Sequence, residues 1–268
     1  MSSTGGRQDA LTLLQSGEIT VEGRMTAASN ATLYAAIELD GVAAHCIYKP
    51  VAGERPLRDF PRDTLGRREV AAYLVSEATG WEVVPPTVWR DGPFGPGSVQ
   101  LWIDTDEETE MVDVVPLGGV PDGWLPVLNA QDGEGSDVVL VHRDDPALAR
   151  MAVFDAVIDN ADRKGGHVLV AEDRHLWGCD HGLSFNVDDK LRSVLWGWQG
   201  AALPADCVDV VARVADQLGV DGPLATALQE LLTPREVART RSRAAALVRS
   251  GRFPRPDAYG PVIPWPPF

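Results

Sequence analysis

The sequence predicts an α+β protein built in two unlike halves, an antiparallel sheet carrying one long helix followed by a mainly helical half. Three observations predict it. Residues 19–49 alternate and turn like a three-stranded meander. The segment after them has helical spacing closed by a glycine. Beyond Ile103 the chain passes through an acidic connection into long helical patterns. A length of 268 residues suffices for one large core or two small lobes.

In the meander, "ITVEGRM" alternates and "ATLYAAIEL" is apolar and β-prone, while "VAAHCIYKP" follows Asp40-Gly41, a hairpin dipeptide. The turn between the first two strands, "TAASNAT" (26–32), is small and polar. After the polar loop "AGERPLRDFPRDTL", the segment "GRREVAAYLVSEATG" sets Val70, Leu74 and Ala78 on one helical face and ends on Gly80. "EVVPPTVWR" and "SVQLWI", joined by "DGPFGPG", complete the first sheet. "DTDEETEMVD" is strongly acidic, and 116–136, rich in Gly, Pro and Asp, carries no periodic signal. Asp145-Pro146 opens a helix through "ALARMAVFDAVIDN", and the short strands "HVLVA" and "HLWGCD" follow. In the helical last third, Thr233 and Glu236 form a capping box around Pro234. The tail "PDAYGPVIPWPPF" is too proline-rich for helix, and its aromatics predict that it docks on the body.

Composition narrows the function classes. Hydrophobic content of 44% and charged content of 24% fit a soluble globular protein. There is no apolar run of about eighteen residues, and the polar start "MSSTGGRQDA" predicts no secretory leader. Three cysteines without a C-x-x-C pair predict a reduced, cytoplasmic protein. A net charge of −15 and a pI near 4.7 argue against nucleic acid as a partner and against stable association with anionic membrane.

The densest chemistry lies in "DNADRKGGHVLV" (159–170), two acids, an Arg-Lys pair, two glycines and a histidine at one turn. A plain helix-to-strand connection facing water is the simple reading, and three features weigh against it. Asp180, in "CDHG", follows the same hairpin and returns a second carboxylate to that edge. Such a carboxylate pair suits a divalent cation holding a triphosphate. Lys49 ends the third strand and Glu69 lies in the next helix, as in a phosphate clamp whose Glu orients the ammonium. Finally, "SVQLWID" carries Gln100, Leu101 and Trp102 into the linker between the halves, where backbone can meet an adenine.

With these residues in place, "FDAVIDNADRKGGHVLV…CDHG" resembles the catalytic core of the phosphatidylinositol 3-/4-kinase-like family (actinobacterial branch) within the protein-kinase-like superfamily. That resemblance implies a two-lobed kinase-like fold, with an N-lobe over 1–103 and a C-lobe over 104–268. It implies ATP with Mg²⁺ or Mn²⁺ as cofactors, and phosphoryl transfer to an unidentified small-molecule, protein or lipid acceptor. It makes Asp162 the catalytic aspartate, Lys164 a contact toward the γ-phosphate, Asp180 the metal-holding acid, Lys49 the phosphate lysine and Glu69 its partner. "TAASNAT" takes the place of the nucleotide-covering loop. The chain departs from the pattern twice. His167 stands where the family has a metal-binding asparagine, and imidazole suits Mn²⁺ or Zn²⁺ better than Mg²⁺. The covering loop also lacks glycines. Both departures bear on catalysis more than on nucleotide binding, so a nucleotide-binding pseudokinase, regulatory or scaffolding, is the alternative.

Other features have plainer readings. "HRD" at His142–Asp144 imitates a kinase triplet but precedes a helix, with Ala149 where an asparagine belongs, and reads as a surface turn. His167, His175, Cys179 and His181, of which His175 and Cys179 share a strand face, raise a zinc-stabilised interaction protein as a third hypothesis, against the reading of Cys179 as a small core residue. Trp196 and Trp198 read as packing or as substrate contact. The arginines at 235, 239, 241, 243, 249 and 252 read as a helix face paired against acids of the body.

Overall fold

A five-stranded antiparallel sheet, ordered β1-β2-β3-β5-β4, occupies the first half of the chain. Residues 3–25, 30–106, 108–257 and 260–268 are described by the computed structural model. The strands are β1 (Glu18–Arg24), β2 (Leu33–Leu39), β3 (Val42–Pro50), β4 (Thr87–Gly92) and β5 (Gly95–Leu101). The predicted meander is present. Its β2–β3 hairpin turns on Asp40 and Gly41, both at positive φ (50° and 80°), the backbone that a tight hairpin requires. Because side chains alternate across a strand, β3 is sorted in two: Cys46 and Tyr48 enter a core, and Ile47 and Lys49 face a cleft.

That core is closed by α1 (Ser3–Ser16), a helix the polar opening of the chain did not predict. Its Leu13 and Leu14 meet Ile37, Cys46, Tyr48 and Val99. α2 (Leu65–Thr79) lies where the Val70 spacing predicted and ends at Gly80, whose φ of 69° supplies the left-handed cap. It packs on β4 and β5 and also gives Ala71, Ala72, Tyr73 and Val75 to the larger core of the second half, which explains why most of its faces are buried.

In the second half, β6 (Val112–Pro116), β7 (Trp124–Gln131) and β8 (Asp137–Arg143) form a sheet ordered β6-β8-β7. It occupies the stretch where the sequence carries no periodic signal. Pro126 sits beside a register shift in β7, an edge strand, where its missing N–H is tolerated. The surface-turn reading of His142–Asp144 is corrected here. His142 is fully buried on β8, where its Nε2 accepts from the Gly197 N–H at 2.9 Å, because the apolar run "VVLV" carries the central strand on through it.

α3 (Pro146–Ile158) starts as predicted, with the Asp145 carboxylate accepting from the Ala147 and Leu148 N–H groups at 2.8 and 3.2 Å. After it come the hairpin β9 (Val168–Val170) and β10 (Leu176–Gly178), then α4 (Ala205–Gln217), α5 (Pro223–Gln229) and α6 (Pro234–Ser250). The Thr233/Glu236 capping box opens α6, and Glu236 also takes the buried Arg68 of α2, whose Nη1 donates to Ser184 O at 2.6 Å. The two halves are thereby tied by a sealed charge pair. The tail docks through its backbone. Val262 O accepts from Trp196 Nε1, and Pro267 O accepts from the Gly165 N–H, each at 2.8 Å. Trp265 stays 89% exposed, so the docking prediction fails for that aromatic. Among the described residues no helix is long and apolar enough to cross a membrane.

Candidate functional site

Between β3 and β5 of the first half and the loops after α3 of the second lies a cleft of about 330 Å³. Lys49, projected into it by the alternation of β3, donates to Glu69 Oε1 at 2.5 Å and to Asp180 Oδ1 at 2.9 Å. Three residues far apart in sequence are thus brought together. Burial works against the Lys49 charge, but the carboxylates of Asp180 and then Glu69 overcome it and raise its pKa. Lys49 in turn holds the Asp180 carboxyl well below the usual carboxylate range, against the opposing effect of burial. Glu69 is nearly sealed and its Oε2 accepts from the His181 N–H at 2.9 Å, so α2 fixes both the lysine and the backbone beside Asp180. The Asp180 side chain is 52% exposed and sits at a φ of 59°. It faces the cleft, and its Oδ2 has no hydrogen bond among the described residues.

Gly166 and His167, at the end of the 159–167 turn, line the opposite wall, and Asp162 and Lys164 stand outside that lining. Asn160 shapes the turn, accepting from the Asp162 N–H at 3.0 Å and donating to Asp155 at 3.0 Å. Asp162 is pushed up to about 6 by burial, with Lys164 pulling it down and Asp180 pushing it further up. Lys164 Nζ lies 3.6 Å from Asp162 Oδ2. His167 Nδ1 lies 2.9 Å from the Asp162 backbone O, which must accept from it, so the neutral ring presents an Nε2 lone pair. Nε2 faces Asp180 Oδ2 at 3.5 Å. Burial pushes the His167 pKa down to about 4, so at neutral pH this edge carries no ring proton.

A lone pair facing a carboxylate is the arrangement a cation fits, and a metal-bound imidazole commonly donates its other N–H to a backbone carbonyl, as here. Asp180 and His167 therefore fit a divalent cation that takes its remaining ligands from phosphate and water. Among the described residues no group of three or more His, Cys, Asp or Glu side chains is placed to hold a metal by itself. The zinc hypothesis lacks such a ligand set. His175 Nε2 lies 2.8 Å from Glu82 O, and burial pushes the Cys179 thiol up to about 12.

Gln100, Leu101 and Trp102 line the cleft. Their backbone is less available than the sequence suggested. The Leu101 and Trp102 N–H groups donate to Pro86 O and His45 O at 2.9 and 3.0 Å. Ile103, the next residue along the cleft wall, has no such backbone bond among the described residues. Of the "TAASNAT" turn, residues 26–29 lie outside the described residues.

Behind the cleft is a lattice that the sequence reading missed. Arg163 is fully buried and forks onto Asp155, Nε to Oδ2 at 2.8 Å and Nη2 to Oδ1 at 2.9 Å. Its Nη1 donates to His167 O and Cys179 O at 3.0 and 3.2 Å, and its Nη2 meets His181 Nε2 at 2.7 Å. One guanidinium thus joins α3, the Asp162 turn and the Asp180 turn. The available signal was Asp155, the one acid in the apolar run "MAVFDAVI". Trp196 and Trp198 act in packing, Trp198 stacking on Phe253 and donating to Asp144 at 2.8 Å. Arg239 and Arg243 pair with Asp189 at 2.9 Å, as the charge pattern predicted, although Arg243 is buried.

No protein-family model matches the chain. Its fold is similar to that of a crystal structure of the Golgi casein kinase with Mn/ADP bound, with a TM-score of 0.56 and 14% identity over 93% of this chain and 76% of that one. A second crystal structure of the Golgi casein kinase gives 0.55, 14%, 93% and 76%. The two-lobed α+β architecture is accordingly a kinase-like fold. In sequence the chain is 47% identical over 271 aligned positions to Protein Rv2133c of Mycobacterium tuberculosis, covering 98% of this chain and 96% of that protein. It belongs to the family of that mycobacterial protein.

Proposed function

We propose that this protein is an ATP-dependent phosphotransferase of the phosphatidylinositol 3-/4-kinase-like kind, with residues 1–103 as its N-lobe and 104–268 as its C-lobe. The observation that carries the reading is the bridge of Lys49 to Glu69 and Asp180 across the cleft. In this reading ATP lies in the cleft, its adenine against the 100–103 segment and its phosphates toward Lys49. Asp180 and His167 would hold Mn²⁺ or Mg²⁺, which would neutralise charge on the transferring group. Asp162 takes the acceptor's proton as the hydroxyl oxygen bonds to the γ-phosphorus, the bond to the β–γ bridging oxygen breaks and ADP leaves. A carboxyl with a pKa of about 6 suits that role near neutrality. Lys164 accompanies the γ-phosphate. The acidic surface favours a soluble acceptor over anionic membrane, and the three unpaired cysteines suit a cytoplasmic protein.

One observation favours a second reading. His167 replaces the family asparagine, and a nucleotide-binding pseudokinase would tolerate that change. Thermal melts with ATP and either metal, run beside ATP hydrolysis, separate the two. The enzyme is stabilised by the nucleotide and turns it over, and Asp162→Ala abolishes turnover while keeping the stabilisation. Stabilisation without turnover in either metal assigns the pseudokinase, and no nucleotide effect at all overturns both.

A further inference from the structure

Near the end of β5 that enters the linker, one side chain of the cleft wall has its orientation fixed by its neighbours. Gln100 stands opposite Ile47 of β3 on one side and Thr87 of β4 on the other. It is 8% exposed and lines the cleft. The buried Thr87 hydroxyl donates its single proton to Pro85 O at 2.7 Å, so toward Gln100 it is an acceptor. Gln100 Nε2 donates to it at 2.8 Å. This relay decides which end of the carboxamide is which: the amine is turned to Thr87, and Oε1 is left over. That oxygen accepts no hydrogen bond among the described residues, yet it is not sealed from solvent. Sheet packing alone explains the donor's partner and leaves the open acceptor unexplained.

The donors beside it are mostly taken. The Leu101 and Trp102 N–H groups are held by Pro86 O and His45 O, and Trp102 Nε1 donates to Asp104 Oδ1 at 3.1 Å. Of the 101–103 N–H groups, that of Ile103 alone has no partner among the described residues. Lys49 pairs with Ser98 across β3 and β5, so Gln100 stands two residues, or about 7 Å, further along the strand toward the linker. Phosphates at Lys49 thus leave a base at Gln100. Ile47 and Leu169 line the same cleft from the two halves and suit the faces of a flat ring.

We propose that Gln100 selects the base of the bound nucleotide, its Oε1 accepting from the N6 amine of adenine and rejecting the O6 of guanine or hypoxanthine. Thr87 is the positioning residue that keeps the carboxamide turned this way. The proposal rests on the reading of the cleft as a nucleotide site. Adenine carries an amine donor where guanine carries a carbonyl. At the next ring position adenine N1 is an acceptor, suited to the Ile103 N–H, where guanine and hypoxanthine carry N1–H. The wrong base sets lone pair against lone pair and leaves polar groups unpaired in a partly desolvated site, which costs more than the missing bond.

Calorimetry of the full chain with Mn²⁺ compares ADP, GDP and inosine diphosphate, the last carrying the O6 of guanine without its 2-amino group. Wild type should bind ADP about tenfold more tightly than either, or better. Thr87→Val keeps the shape, removes the hydroxyl and should cut the ratio of ADP to inosine diphosphate affinity about threefold or more. Thr87→Ser, which keeps the hydroxyl, should hold the ratio near that of wild type. Gln100→Leu should lower the ratio as well, whereas general loosening of the cleft would weaken both nucleotides alike and leave it unchanged. Equal binding of the three diphosphates by wild type, or an unchanged ratio in either Gln100→Leu or Thr87→Val, overturns the inference and leaves the nucleotide reading intact. Failure of wild type to bind any of the three overturns the nucleotide reading and the inference with it.

Discussion

Two cations set among carboxylates lie one behind the other in this molecule, and their burial separates them. Lys49 bridges Glu69 and Asp180 at the cleft edge, where the Asp180 side chain is 52% exposed. Arg163 forks onto Asp155 behind it, and neither is more than 1% exposed. A sealed pair has nothing to exchange with a ligand, and removing one partner strands a buried charge. An edge pair keeps lone pairs and solvent, so a phosphate or a cation can insert itself. The same elementary chemistry thus becomes scaffold at one depth and binding surface at the other. The gradient runs through His167, whose carbonyl belongs to the Arg163 lattice and whose ring belongs to the cleft.

Substitutions at the two depths test this contrast, and the sealed one has the largest expected effect. Arg163→Met leaves Asp155 uncompensated and should cost about 3–5 kcal/mol, read by denaturant melts. A loss near zero would mean that the lattice is not a scaffold. Lys49→Met should weaken ADP binding about tenfold to a hundredfold by calorimetry, as expected for one charge-assisted phosphate contact. It should lose less stability than Arg163→Met, because Asp180 is half exposed and the buried Glu69 keeps the His181 N–H as a donor. Equal destabilisation by the two variants would erase the distinction.

Asp162 lies between the two depths. Its carboxyl is pushed up to about 6 in the fold, above the ordinary value of 3.8. Its protonated form favours folding at low pH, and that contribution is lost as pH rises through about 6, so at neutral pH the charged group opposes folding. Asp162→Asn should therefore raise stability at pH 7 by about 1–2 kcal/mol while removing turnover, and wild-type turnover should fall as pH drops below about 6. Unchanged melting in the variant would place that carboxylate in water. The smallest effect belongs to His167→Asn. It should shift the preference for Mn²⁺ over Mg²⁺ in supporting ADP binding by a few-fold toward Mg²⁺, measured as the ratio of ADP affinities in the two metals.

The cleft edge was more legible in the sequence than the lattice behind it. Lys49, Glu69 and Asp180 sit on elements with strong local signals: an alternating strand after Asp40-Gly41, a helix closed by Gly80, and a hairpin between two acids. Their order along the chain was enough to suggest that they meet. Arg163 resembles any surface arginine in "DNADRKGG", because its burial comes from the convergence of three segments and no local period reports it. Asp155 alone hinted at it. The β6–β8–β7 sheet was hidden for a related reason. Pro126 interrupts the pattern of β7, and Val114 of β6 and Leu128 of β7 stay exposed, so the alternation that marks a half-buried strand is blurred. His142 was misplaced because a charged-looking triplet outweighed the apolar run before it. In α1, the leucines that close the first core follow a polar, glycine-bearing start that gives no helix signal.

The proposed role of the cleft-edge charges is to hold a metal–nucleotide complex, and calorimetry of ADP binding to wild type and Asp180→Asn, with and without Mn²⁺, is its decisive test. Mn²⁺ should strengthen ADP binding to wild type by tenfold or more and do little for the variant. Equal binding in both proteins, indifferent to the metal, would contradict it.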